Sequence, residues 1–107
     1  MLLALAGPGS AAAAADQVVV VAVPWTYSPT PVHVATGQAL MFANFDGLSG
    51  EGHSLTQAVA PGTERFASPI TPYGTSAPVA GVEQLPAGSY DFTCRVHPFM
   101  AGTLVVE

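Results

Sequence analysis

The chain contains no lysine, and only two arginines, Arg65 and Arg95, stand against seven acidic residues. A formal net charge of −5 without a basic patch argues against nucleic acid and against anionic membrane surfaces as partners. A single cysteine, Cys94, leaves no internal disulfide and no thiol near the N-terminus for a lipid anchor. Long apolar runs are lacking as well, because Gly7-Pro8-Gly9 interrupts the only candidate membrane span. Helix signals are absent, no segment repeats, and no paired nucleophile and base or phosphate-cradling loop occurs. Neither membrane insertion nor enzymatic activity is expected of such a chain.

What is present begins with an apolar N-terminus. The first 15 residues run from Leu2, Leu3 and Leu5 to the alanines Ala11 to Ala15. Ala13-Ala14-Ala15 before Asp16 has the form of a small-residue cleavage site after a short apolar stretch, as in a secretory signal. The basic start of such a signal is missing, since the first arginine is Arg65. Residues 1–15 are therefore expected to be a signal peptide truncated at its start, or an alanine-rich tail. Residues 16–107 then form one domain, and the protein is exported to the periplasm or another extracytoplasmic space.

The rest of the chain has the rhythm of a small all-β protein, short strands with glycine or proline at the turns. Gln17 to Val23 reads as a valine-rich strand ending at Pro24, and Trp25 to Pro29 as an irregular aromatic link. Val32 to Thr36 and Ala39 to Phe45 follow as strands across Gly37-Gln38. From His53 to Val59 the pattern alternates, with His53, Leu55, Gln57 and Val59 on one face. The proline-rich stretch 60–78 reads as loop with one short strand around Arg65 to Ala67. Val79 to Leu85 and Ser89 to Cys94 look like a hairpin about Pro86-Ala-Gly88, and Thr103 to Val106 closes the domain. Tyr90, Phe92 and Cys94 share one face at period two, which aims the thiol into the apolar interior.

Cys94, His97 and Met100 are spaced Cys-x-x-His-x-x-Met on one short loop. Thiolate and thioether favour copper(I), imidazole suits both copper oxidation states, and two His with one Cys and a distant Met is the blue-copper ligand set. The loop supplies three of those four groups. For the second imidazole, His33 sits mid-strand between Val32 and Val34 and faces the opposite way, toward solvent. His53, at the start of an alternating run, is the better-placed candidate. Structural zinc is a weaker fit, because thioether is a poor zinc ligand.

The run from Pro86 to Glu107, with Tyr90-Asp-Phe-Thr-Cys-Arg-Val-His-Pro-Phe-Met100 at its centre, resembles the C-terminal end of a small cupredoxin. Within that family it is most similar to the amicyanin and plastocyanin-like members, where a proline directly follows the loop histidine as Pro98 follows His97. The resemblance implies a Greek-key β-sandwich of about eight strands with one type 1 copper at one end. It also implies His53, Cys94, His97 and Met100 as the metal ligands, with imidazoles bound through Nδ1. Tyr90, just after Gly88, resembles the corner tyrosine of Greek-key sandwiches, a structural role. Ser54 stands where the family commonly has Asn, and the glycine-rich stretch from Asp46 to Gly52 looks longer than usual.

These readings point to a soluble, monomeric carrier of single electrons by outer-sphere transfer. Its redox partner proteins would dock at the rim of His97, whose outer nitrogen would reach solvent between the uncharged residues Pro98, Phe99 and Ala101. Two alternatives use the same sequence differently. A copper carrier or storage protein would share the ligands and exchange the metal readily. A metal-free adhesion-type sandwich would bury Cys94 as a core residue.

Overall fold

The computed structural model describes residues 18–48 and 50–107. The segment 1–15 and Gln17, the expected start of the first strand, lie outside the described residues. Among the described residues eight strands form: β1 Val18–Val23, β2 Thr26–Ser28, β3 Val32–Val34, β4 Leu40–Asn44, β5 Thr56–Gln57, β6 Ser76–Pro78, β7 Gly88–Thr93 and β8 Ala101–Val106. They make two four-stranded sheets, ordered β2-β1-β4-β6 and β3-β8-β7-β5. The expected all-β sandwich of about eight strands is the observed fold.

Both sheets are mixed. β1 runs parallel to β4 and β3 parallel to β8, while the other neighbours are antiparallel. Alternation along the strands fills the core, because successive side chains leave opposite faces. On β1, Val20 and Ala22 are fully buried, whereas Val19 is 43% exposed. Phe42, Leu55, Phe66, Phe92 and Leu104 join them in one continuous cluster that also includes Cys94 and Met100. Cys94 and Met100 are thus part of the apolar interior.

β7 and β8 pair over six positions, from Gly88↔Val106 to Thr93↔Ala101. The register ends at Thr93↔Ala101, so residues 94–100 form the connection at one end of the sandwich. Phe92 is buried and Asp91 exposed, as the period-two reading of this strand requires. The Tyr90 hydroxyl donates to the Pro86 carbonyl at 2.6 Å, the expected corner bond.

Four local readings change. Val79 to Leu85 is not a strand paired with β7: Ser76–Pro78 pairs with β4 in the other sheet, and Val82–Gln84 is a single 3₁₀ turn. Gly81 is the cause. It sits at φ 99°, and a Cβ there would meet the Arg65 carbonyl oxygen at 2.0 Å, so the chain bends where only glycine fits. The expected strand near Arg65 reduces to bridges from Ala67 to Thr56 and Ala80. Trp25 to Pro29 is more regular than expected, because Thr26–Ser28 pairs with β1. Finally, His53, Ser54, Leu55 and Thr56 are all buried on both faces, because the 66–71 segment covers the side that alternation assigned to solvent.

Candidate metal centre

Three donor atoms meet at the end of the sandwich. His53, Cys94 and His97 are all buried, and one donor atom from each lies within 4.8 Å of the others. Nδ1 of His53 stands 3.1 Å from Nδ1 of His97, and the Cys94 Sγ lies 3.6 Å and 3.7 Å from these two nitrogens. Metal bonds to imidazole of about 2 Å and to thiolate of about 2.3 Å let one ion span such a triangle. Met100 is 1% exposed and belongs to the same loop. Its backbone N–H donates to the His97 carbonyl at 2.9 Å, and the Cys94 N–H to the Met100 carbonyl at 3.4 Å. The loop is therefore a closed turn. The Thr93 hydroxyl reinforces it from within hydrogen-bond reach of the Pro98 and Met100 carbonyls.

His53 is held from the other side. Its backbone exchanges two hydrogen bonds with Thr71, at 3.2 Å and 2.7 Å. Its ring Nε2 lies 2.7 Å from Asp46 Oδ2, both side chains fully buried. Asp46 Oδ1 accepts from the Leu48 N–H at 2.9 Å, and the Asp46 N–H donates to Asn44 Oδ1 at 2.8 Å. With Nε2 engaged, Nδ1 is the nitrogen turned toward Cys94 and His97.

Ser54 braces the cysteine loop. Its backbone N–H points at the Cys94 sulfur at 3.4 Å, and its hydroxyl accepts from the Arg95 N–H at 2.9 Å. The Ser54 carbonyl accepts from the hydroxyl of Tyr27, a buried core ring. Burial pushes the Tyr27 phenol pKa up, and the neighbouring Cys94 adds to that shift. Tyr27 packs edge-on against Phe92 at 4.9 Å, which ties β7, the strand leading into Cys94, to the β1–β2 hairpin opposite.

The rim differs from expectation. His97 is only 6% exposed, and its outer Nε2 lies 2.7 Å from Glu51 Oε1 instead of opening to solvent. Trp25 covers the ring edge-on at 4.9 Å and packs on Phe99 at 5.5 Å. Trp25 lies at φ 62° in the two-residue turn between β1 and β2, a position that ordinarily goes to glycine. Holding a bulky residue there costs about 1 kcal/mol, which contacts with His97 and Phe99 must offset. Pro24 at the end of the valine-rich strand was the available signal for this turn, and nothing in it marked the indole as a neighbour of the site. Asp46 and Glu51 were likewise invisible as partners of the two imidazoles. His33 stays apart from the cluster, exposed on β3 and paired with Glu107 at 2.8 Å.

The donor chemistry fits copper better than the alternatives. A thiolate, two imidazoles and a buried thioether on the same turn form a soft, nitrogen–sulfur set, whereas carboxylate-rich sites suit harder ions. Residues 1–106 match the family described as the cupredoxin-like domain, and the chain belongs to that family. Among solved structures, the reduced copper(I) form of a proline-to-glycine variant of amicyanin at pH 4 is 28% identical. That likeness has a TM-score of 0.67 and covers 86% of this chain and 83% of that one. The reduced state of a proline-to-phenylalanine variant of amicyanin is 27% identical with a TM-score of 0.67, covering 88% and 85% of the two chains. A reduced tryptophan-to-tyrosine variant of amicyanin is 25% identical with a TM-score of 0.67, covering 85% and 82%. No curated protein matches the chain. Among the described residues, no helix is long and apolar enough to cross a membrane.

Proposed function

We propose that this protein binds one copper ion through His53 Nδ1, Cys94 Sγ, His97 Nδ1 and the Met100 thioether, and carries single electrons between redox partners. The observation that carries this reading is the convergence of three buried donor atoms from two distant parts of the chain within 4.8 Å. Bound there, copper would supply one-electron chemistry by cycling between its two oxidation states. The protein's share is rigidity and dryness. His53 is fixed by its bridge to Thr71, Cys94 by the end of the β7–β8 pairing, and the sulfur by the Ser54 N–H. Such a preformed set changes little when the charge at its centre changes, which favours fast outer-sphere transfer.

The docking surface in this reading is the rim over His97. Trp25, 44% exposed, and Phe99, 69% exposed, stand on the imidazole and on each other. An apolar patch of this kind desolvates cheaply in a brief encounter. Glu51 adds one carboxylate at its edge. Partners would be redox proteins with an apolar, neutral or weakly cationic face. Export belongs to the same proposal and is supported by the alanine-rich segment before Asp16.

Titration of the metal-free protein with copper(II) tests the reading. Electron transfer predicts one equivalent, tightly retained, with intense blue sulfur-to-copper charge transfer. A colourless copper(I)-only complex that gives up its metal to a chelator would replace it with copper carriage. No binding at all would leave a metal-free sandwich.

A further inference from the structure

Burying a carboxylate is expensive unless its oxygens are engaged and a compensating charge is near. Asp46 is 1% exposed, and its side chain is fully buried beside His53. The chain's two arginines are placed elsewhere, Arg65 over the Tyr90 ring at 5.8 Å and Arg95 4.0 Å from Glu64. What Asp46 does have is a dedicated cradle. Oδ1 accepts the Leu48 N–H, Oδ2 lies against His53 Nε2, and its own N–H is held by Asn44 Oδ1. Asn44 is itself fully buried and anchored by donating to the Thr71 carbonyl at 2.8 Å, next to the Thr71–His53 bridge. These hydrogen bonds hold both the carboxylate and the imidazole in place.

We propose that Asp46 is a positioning residue that selects the tautomer of His53 and biases the centre toward the oxidised ion. One oxygen accepts the amide of Leu48, and the proposal assigns the other, 2.7 Å from Nε2, as the acceptor of the imidazole proton, as a carboxylate would be. The proton of the neutral imidazole then resides on Nε2, and the Nδ1 lone pair is directed at Cys94 and His97. A carboxylate on the far nitrogen also raises the basicity of a ligating histidine. A fixed negative charge behind one ligand favours the more positive oxidation state. The redox half of the inference rests on the copper reading of the site; the tautomer half does not.

The test begins with the metal-free full-length chain, labelled with ¹⁵N. Two-bond proton–nitrogen correlations should show His53 as the Nε2–H tautomer, with that proton slow to exchange. A wild-type His53 protonated on Nδ1 would overturn the proposal, with or without copper. Asp46→Asn leaves one side-chain oxygen where wild type offers one to Leu48 and one to His53, and the Nε2–H preference should be lost or reversed. Copper-loaded Asp46→Asn should prefer the reduced ion about tenfold more than wild type, a rise of 59 mV for a one-electron couple. Asp46→Ala provides a second variant if Asn disturbs folding, and it should move the potential in the same direction. Unchanged potentials in the variants that fold would refute the redox half. A wild-type protein that takes up no copper would refute the copper reading, while the ¹⁵N measurement would still decide the role of Asp46.

Discussion

Nδ1 of His53 and Nδ1 of His97 face each other at 3.1 Å although the residues are 44 positions apart in sequence. The two histidines reach this point by different means. His97 lies on the turn that closes the β7–β8 pairing, and His53 on a segment bridged to Thr71 and hydrogen-bonded through Ser54 to Cys94. Their far nitrogens are each met by a carboxylate from one short stretch, Asp46 in the interior and Glu51 at the surface. The centre therefore has a deeply buried side at His53 and a side at His97 that lies near the surface but is covered by Trp25 and Glu51.

Tyr27 couples the core to that centre. Tyr27→Phe removes the hydroxyl that bonds the Ser54 carbonyl and should cost about 1–3 kcal/mol by leaving a buried acceptor without its donor. The pH dependence follows from the raised phenol pKa. The folded state keeps the phenol protonated where the unfolded chain, with an ordinary value of 10.0, would ionise. Stability from this group is full below pH 10 and falls as pH rises beyond it, by about 1.4 kcal/mol per pH unit. Urea unfolding of wild type and Tyr27→Phe between pH 8 and about 11 checks this. The wild type should lose stability more steeply above pH 10, and equal slopes would show that Tyr27 is not the titrating group.

Met100 should act on potential more than on retention of the metal. Met100→Gln replaces a soft thioether with a harder amide oxygen, which favours copper(II) over copper(I). Copper should stay bound while the reduction potential falls, read by voltammetry. A potential equal to wild type would make Met100 a packing residue of the core cluster to which it belongs.

Phe99 tests the docking rim. It is 69% exposed and packs on Trp25, outside the ligand set. Phe99→Glu places a like charge between two docked copies and requires a carboxylate to be desolvated. Electron self-exchange, measured by NMR line broadening in mixed oxidised and reduced samples, should slow while the visible spectrum stays the same. Unchanged exchange would move the electron port away from this face.

The parts of the centre legible in the sequence were those that are local in it, together with His53, which its place at the start of an alternating run and the family resemblance singled out. Cys94, His97 and Met100 fall within one turn, so their spacing is itself the geometry. The β7 face carrying Phe92 and Cys94 follows from period two alone. Distant partners were not legible, because no periodicity links Asp46 to His53 or Glu51 to His97. Trp25 was hidden for a further reason: an unstrained reading of Pro24-Trp25 expects glycine at the second turn position, and the structure spends backbone strain there to cover His97. In the fold, Val79 to Leu85 was misread because strand-like composition says nothing of the close approach at Gly81.

The central claim is that His53, Cys94 and His97 close around one copper ion, and copper(II) titration of wild type beside Cys94→Ser tests it most directly. The wild type should take up one equivalent and turn intensely blue, because the charge-transfer band belongs to the thiolate. The serine variant should show no such band. A blue band that persists in Cys94→Ser, or a wild type that binds no copper, would contradict the account.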